Sequence, residues 1–443
     1  MQLTIFPGNP LAGELASPAL PGDKSISHRA LLFAGLADGE SRVENLLVSG
    51  VTRAMLNALT ALGIPWRLEG VSLAVHGRGL RGFQPPSAPL DCGNSATTLR
   101  LLAGALAASG VPAVLDGSPG LRRRPMRRIS EPLHRMGVPI TASPQGTAPL
   151  RLDARPADRL LRPLEIDLTV ASAQVKSCLL LAALAAGGPT TLREPGPSRD
   201  HTETMLRQMG VRVETTPGPQ PVVTLTPDAS RQLRPLHMSI PGDMSAAAFL
   251  IVAALITPGS HLVLRQVGLN PTRTGLLDAL RQMGADIEVH PAPAQGSEPV
   301  GDLVIRHSRL RGGEVRGDLV VRMIDELPVF AVAAACAEGV TRVSDAQELR
   351  HKESDRIAEL CRELSALGVS VTEHPDGMTI AGGAPIHGGQ VDPHGDHRLA
   401  MSLAVAGLVA ETPLTIDAAE IMAESYPNFP AVLVSLGARL EAA

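Results

Sequence analysis

The chain writes one short pattern six times. A helix closes on an apolar pair and a glycine, then runs into a strand: "LTALGIPW", "LHRMGVPI", "LRQMGVRV", "LRQMGADI", "LSALGVSV" and "LVSLGARL". The glycines are Gly63, Gly137, Gly210, Gly284, Gly368 and Gly437, at intervals of 69 to 84 residues. Self-similarity of this kind is the mark of a repeated supersecondary unit. A second helix recurs beside the first, with a polar start, an Ala/Leu-rich body and a Thr/Val strand. Its copies begin "PGDKSISHRALL", "CGNSATTLRLLAG", "ASAQVKSCLLL", "PGDMSAAAFLIV", "MIDELPVFAV" and "HGDHRLAMSLA". These bodies are apolar nearly all round, which predicts burial. The helices of the first set carry charges and are expected outside. The sequence therefore predicts six α/β units. "PGD" at Pro21 and again at Pro241 divides them into two halves of three. The segment before Pro21 is an orphan strand, expected to pair with the C-terminal half.

Composition narrows the function classes. In 443 residues, 44% are hydrophobic but only 2% aromatic, so the cores must be Ala/Leu/Val packing. The length favours two domains over one. A net charge of −4 gives no general attraction to nucleic acid or an anionic membrane. Four cysteines (Cys92, Cys178, Cys336, Cys361) lie far apart with no CxxC pair, which reads as reduced thiols and no zinc site. No signal peptide is expected at "MQLTIFPGNP", and the run Ala246 to Ile256 is too short to span a bilayer. The expectation is a cytoplasmic protein, monomeric because each half can bury its own core.

The polar starts of the buried helices carry the chemistry. A helix N-terminus offers free N–H groups and a positive dipole end to an anion. Lys24, Ser25 and Arg29 enter such a helix, and cations entering a core helix need a partner. "GNSATTLR" offers Asn94, and "VASAQVKS" offers Ser172 and Gln174; in isolation each also reads as ordinary capping. "GLRRRPMRR" packs five Arg into one loop, suited to a compact phosphate or carboxylate or else solvated. Lys352 and Arg356, at i,i+4 in "HKESDR", are expected on one helix face, with Glu353 or Asp355 between them. Asp325 and Glu326 stand at the mouth of a buried helix, as a cap or a general base. "HGDHR" places His394, Asp396 and His397 at a tight turn beside Arg398, which opposes a metal. "GRGLRG" matches a dinucleotide fingerprint literally, but "FQPPSAP" follows it and opens no helix.

Together, "GDKSISHRA", "GNSATTLR", "RRRPM", "SAQVKS", "SRDHTE", "NPTRTG", "MIDELP", "KESDR" and "GDHRLAM" resemble the 5-enolpyruvylshikimate-3-phosphate synthase family. The matches run in order over essentially the whole chain. The resemblance implies a two-lobed enolpyruvyl transferase fold of six βαβαββ-type units, three per lobe, with buried parallel helices. It implies one lobe from residues 1–20 and 240–443, another from 21–239, and an active site in the cleft between them. The implied reaction joins phosphoenolpyruvate to the 5-hydroxyl of shikimate 3-phosphate and releases phosphate, with no metal and no cofactor. By the family pattern, Lys24, Ser25, Arg29, Ser172, Ala173, Gln174 and Arg199 hold shikimate 3-phosphate, with Asp325 and Lys352 at the hydroxyl. Lys24, Asn94, Ala96, Arg124, Gln174, Arg356 and Arg398 meet phosphoenolpyruvate. Asp325 takes the hydroxyl proton; Glu353 and Lys24 serve protonation of the methylene.

Two positions depart from many members. Ala96 stands where they have Gly, which implies the second, glyphosate-tolerant class. Ser425 stands where they have Lys near the C-terminus, a Lys that the second class also lacks. The sister enzyme acting on UDP-N-acetylglucosamine usually has Cys in the loop that here reads "GLRRRP". The other alternative is a non-enzymatic repeat scaffold, indifferent to loss of Lys24 or Asp325.

Overall fold

A computed structural model of the chain describes residues 1–443 apart from Ala157, Gly296 and Ser297. Among the described residues there are six four-stranded sheets, all of one pattern. In the simplest, Leu90–Asp91 runs parallel to Ala113–Asp116, which pairs antiparallel with Leu150–Leu152, itself antiparallel to Ile140–Thr141. A buried helix joins the first two strands and an outer helix leads to the last two, giving βαβαββ. Three units are continuous in sequence; the other three borrow a strand from elsewhere. His237–Ser239 lies parallel to Asp38–Glu44, and Ala12–Leu15 lies parallel to His261–Gly268. Leu3–Phe6 sits between Leu414–Ile416 and Arg439–Ala442. The segment expected as one orphan strand is thus two strands, both in sheets of the C-terminal half.

The buried helices are Lys24–Leu36, Ala96–Ser109, Ala173–Ala183, Met244–Ile256, Leu327–Cys336 and His397–Gly407. Every residue of Met244–Ile256 is buried. Small side chains let these helices approach closely: a methyl added at Gly104 would stand 2.3 Å from the Cys178 carbonyl oxygen. Such packing explains how so large a core forms with few aromatic rings. The outer helices each end on the repeated glycine, and all six glycines take a left-handed φ between 78° and 111°. That conformation closes the last helical turn and is strained for any other residue. After the strand Ser72–Arg78, no helix begins before Ala96, so "GRGLRG" has no place in a dinucleotide site.

The chain divides into two compact units. One comprises Met1–Asp23, Pro241–Ala294 and Pro299–Ala443; the other comprises Lys24–Ile240 and Gln295–Glu298. Each contains three of the buried helices and its own apolar core. Among the described residues, no helix is long and apolar enough to cross a membrane.

Candidate active site

In the unit holding residues 24–240, side-chain bonds tie together the starts of all three buried helices. Lys24, Ala96 and Ala173 are their first residues. Ser95 and Ser172 cap two of them, their hydroxyls accepting from the N–H groups of Thr98 and Val175. Gln174 donates to Thr97 Oγ1 at 2.8 Å and accepts from Arg100. His28 donates from Nδ1 to the Lys24 carbonyl at 2.8 Å, with Ser95 Oγ 3.4 Å from its Nε2. Burial pushes the His28 imidazole down to about 4, so this ring is neutral and the Lys24 end gains no charge from it. Arg29 crosses from the first helix to the third, donating to Thr202 Oγ1 and Ser177 Oγ, each at 2.8 Å, and to the Ser25 carbonyl at 2.9 Å. Arg199 donates to Ser25 Oγ at 3.1 Å. Three positive helix ends with Lys24, Arg29 and Arg199 therefore occupy one end of this unit.

The arginine loop sorts itself by burial. Arg122 is paired with Asp116 at the surface, and Arg127 reaches the Pro144 carbonyl. Arg124 alone of the five is buried, beside Pro125, whose carbonyl accepts from Arg100 at 2.9 Å. Asn94 accepts from Ser118 Oγ at 2.9 Å, which joins the "GNS" turn to the same loop. Cys92 lies near this turn but is buried. Desolvation, with Asp91 and Asp116 adding to it, drives its thiol far above the ordinary range, so it offers no reactive thiolate.

In the unit of 1–23 and 241–443, the constellation centres on Asp325. Lys352 Nζ lies 3.5 Å and Arg356 Nη1 3.3 Å from its Oδ1, and Arg398 Nη2 lies 3.8 Å from Oδ2. Arg398 also donates to the Asp325 carbonyl at 3.1 Å. Arg356 is only 1% exposed and donates to Asp396 and to Glu353, each at 2.7 Å. Burial opposes its charge, but the carboxylates of Asp396, Glu353 and Asp325 outweigh that and raise its pKa further. Asp396 also caps the helix His397–Gly407 by accepting from the Arg398 N–H at 2.8 Å. Asp325 and Glu326 immediately precede the helix Leu327–Cys336, whose positive end faces the same residues.

One expectation needs correction here. Lys352 and Arg356 do not share a helix face: Gln347–His351 is a 3-10 turn, and the α-helix begins only at Arg356. They converge because both reach Asp325. Glu353 pairs with Arg356, while Asp355 pairs with Arg350 and caps the helix through Ala358. The "HGDH" residues turn to different partners. Asp396 serves Arg356, His394 meets Glu363 at 2.8 Å, and His397 lies 3.6 Å from Glu424.

Sequence reasoning missed two buried arginines. Arg100 has no separate motif signal beyond "TTLR", yet it joins Gln174 to the Arg124 loop. Arg273, within "NPTRTG", donates to Asp23 at 2.6 Å, to Ser245 Oγ at 2.8 Å and to Asp243 at 3.2 Å. Asp23 and Asp243 are the acids of the two "PGD" copies, so the repeated acid was the available signal. Ser245 in turn donates to Glu326, which anchors the residue next to Asp325.

The profile of the family described as EPSP synthase (3-phosphoshikimate 1-carboxyvinyltransferase) matches residues 5–433. The 3-phosphoshikimate 1-carboxyvinyltransferase of Halorhodospira halophila is 47% identical over 440 residues, covering 99% of this chain and 96% of that protein. The one from a Roseiflexus species is 50% identical over 423 residues, covering 95% and 96%. The structure of EPSP synthase from Acinetobacter baumannii superposes with a TM-score of 0.87 at 39% identity, over the whole of both chains. The enolpyruvyl transferase NikO of Streptomyces tendae shares the fold, with a TM-score of 0.80 at 22% identity over 99% of this chain and 98% of that one. A six-unit fold, charged helix starts in both units and near-full-length identity approaching one half converge on one assignment: this chain belongs to the EPSP synthase family.

Proposed function

We propose that the two constellations act on one pair of substrates, with Asp325 as the group that starts the chemistry. The reaction is transfer of the enolpyruvyl group of phosphoenolpyruvate to the 5-hydroxyl of shikimate 3-phosphate, with release of phosphate, on the shikimate route to aromatic amino acids. Asp325 accepts the hydroxyl proton as the oxygen attacks C2 of phosphoenolpyruvate. Glu353 and Lys24 serve the proton that C3 gains, which turns the methylene into a methyl. The tetrahedral adduct then loses a methyl proton and phosphate, and the vinyl group is restored. Lys24, Asn94, Arg124, Gln174, Arg356 and Arg398 hold phosphoenolpyruvate, with Ala96 against it. Ser25, Arg29, Ser172, Ala173, Gln174 and Arg199 hold shikimate 3-phosphate, with Lys352 beside its hydroxyl. Fixed cations and helix ends aimed at these anions stabilise the adduct without reorganising.

The observation that carries this reading is Asp325 ringed by Lys352, Arg356 and Arg398 at the mouth of a buried helix. Phosphate release from phosphoenolpyruvate tests it directly. Release is expected with shikimate 3-phosphate and absent with UDP-N-acetylglucosamine. Release with the sugar nucleotide alone would overturn it. The cytoplasm, where four unpaired thiols stay reduced, suits the chain best, as does a monomer with one core in each unit.

We assign the chain to the glyphosate-tolerant class on Ala96. This residue opens the helix Ala96–Ser109 and its methyl is buried, so it stiffens the crowded turn after Asn94. One methyl in a closed subsite discriminates by about 10- to 200-fold. Ala96→Gly is expected to lower the glyphosate Ki at least tenfold while changing the phosphoenolpyruvate KM far less. A wild-type Ki already well below that KM would refute the assignment.

A further inference from the structure

Three charged side chains meet inside the unit of residues 24–240, and the chemistry above uses none of them. Lys176 is 1% exposed, and its Nζ lies 2.8 Å from Glu194 and 2.7 Å from Glu203, both equally buried. One ammonium against two carboxylates is an expensive arrangement for a core. Buried ion pairs are commonly neutral or worse for stability when compared with apolar residues of the same volume. The cluster therefore calls for a purpose other than stability.

Its connections lead to the substrate-binding end. Glu194 directly follows the strand Thr190–Arg193 and accepts from the hydroxyl of Ser198, while Lys176 Nζ reaches the Ser198 carbonyl at 3.4 Å. Glu203 lies in the first turn of the helix His201–Gln208. The ammonium thus pins both ends of the segment 194–203. Between them stands Arg199, on Ser25 Oγ, and Thr202, which accepts from Arg29 and lies 2.6 Å from Ser177 Oγ. Lys176 sits two residues beyond Gln174, a rotation of about 200° around the helix. One helix start therefore points Gln174 toward Arg100 and Thr97 and sends Lys176 to the other side. Burial opposes the charge of Lys176, but Glu203 and Glu194 outweigh it and raise its pKa, so it stays an ammonium at neutral pH.

We propose that Lys176 is a positioning residue: with Glu194 and Glu203 it clamps the segment 194–203 so that Arg199 is held at Ser25, ready for the phosphate of shikimate 3-phosphate. The inference rests on the reading of Ser25 and Arg199 as part of that subsite. It predicts a defect confined to one substrate, because the loop carrying Arg124 is held by Arg100 at the Pro125 carbonyl, and Asn94 by Ser118.

Lys176→Met alone would strand two buried carboxylates and is a poor test. Two better variants leave no buried carboxylate without the ammonium. Glu194→Leu leaves Lys176 paired with Glu203 and removes the bonds from residue 194 to Lys176 and to the Ser198 hydroxyl. The triple variant Lys176→Met, Glu194→Leu, Glu203→Leu replaces the whole cluster by apolar side chains. Both are assayed by phosphate release, with KM measured for each substrate and folding followed by circular dichroism. Glu194→Leu is expected to raise the shikimate 3-phosphate KM at least tenfold, with the phosphoenolpyruvate KM within about twofold and kcat within about threefold. A folded triple variant should do the same. An unchanged shikimate 3-phosphate KM in folded Glu194→Leu overturns the proposal, as do equal rises in both KM values. Arg199→Ala separates the premises. If it raises the shikimate 3-phosphate KM and Glu194→Leu does not, the clamp is wrong and the subsite stands. If Arg199→Ala changes nothing, the subsite reading fails and the clamp fails with it.

Discussion

Asp325→Asn is expected to slow phosphate release by about 10³-fold in kcat while the protein stays folded, within the range a positioned general base contributes. The substitution keeps the shape and removes only the proton-accepting charge. Around this residue three cations (Lys352, Arg356 and Arg398) are matched by three carboxylates, Asp325, Glu353 and Asp396. Removing one carboxylate leaves a net positive site for two anionic substrates. The KM for phosphoenolpyruvate should therefore stay level or fall as kcat collapses, the pattern of an interaction needed only in the transition state. If Asp325 merely neutralised the arginines, the variant would instead lose thermal stability and keep kcat within about tenfold. Steady-state kinetics with a thermal melt on the same preparation separates these outcomes.

How much of this was legible beforehand follows from the range over which each feature is encoded. The six glycine-terminated helices and six buried helices are local patterns of spacing and composition, and all twelve are present. Borrowed strands are a different matter. The position of residues 1–20 outside the six repeats points them to the C-terminal half, but nothing in Leu3–Phe6 or His237–Ser239 names the individual strands they pair with, hundreds of residues away or across a whole unit. The candidate site divides in the same way. Residues at helix starts, such as Lys24, Gln174 and Asp325, announced themselves because polar groups before an apolar helix are conspicuous. Lys352 and Arg356 meet for a reason their spacing does not give: residues 352–355 lie between a 3-10 turn and the α-helix, and the common partner Asp325 lies 27 residues before Lys352 and 31 before Arg356. Arg100 and Arg273 were overlooked because a lone arginine after small polar residues looks like any solvated one. Only its burial among distant acids or carbonyls distinguishes it.

Arg356 should show the largest effect on stability, and two substitutions there separate stability from binding. Arg356→Met leaves Asp396 fully buried, with the Arg398 N–H at 2.8 Å and the Ser354 hydroxyl at 3.5 Å among its remaining donors. Breaking a buried ion pair from one side typically costs about 3–5 kcal/mol. The unit of 1–23 and 241–443 should lose about that much unfolding free energy and unfold at lower urea, while the unit of 24–240 is spared. Arg356→Lys keeps the charge but loses the planar fork that serves Asp396, Glu353 and Asp325 at once. It should recover much of the stability and still raise the phosphoenolpyruvate KM at least tenfold, because a single ammonium held by Asp396 no longer presents donors beside Asp325. A Met variant with the wild-type midpoint would show that Asp396 is neutralised by other groups. A Lys variant with the wild-type KM would remove Arg356 from the phosphoenolpyruvate subsite and leave it as a support for Asp325 alone.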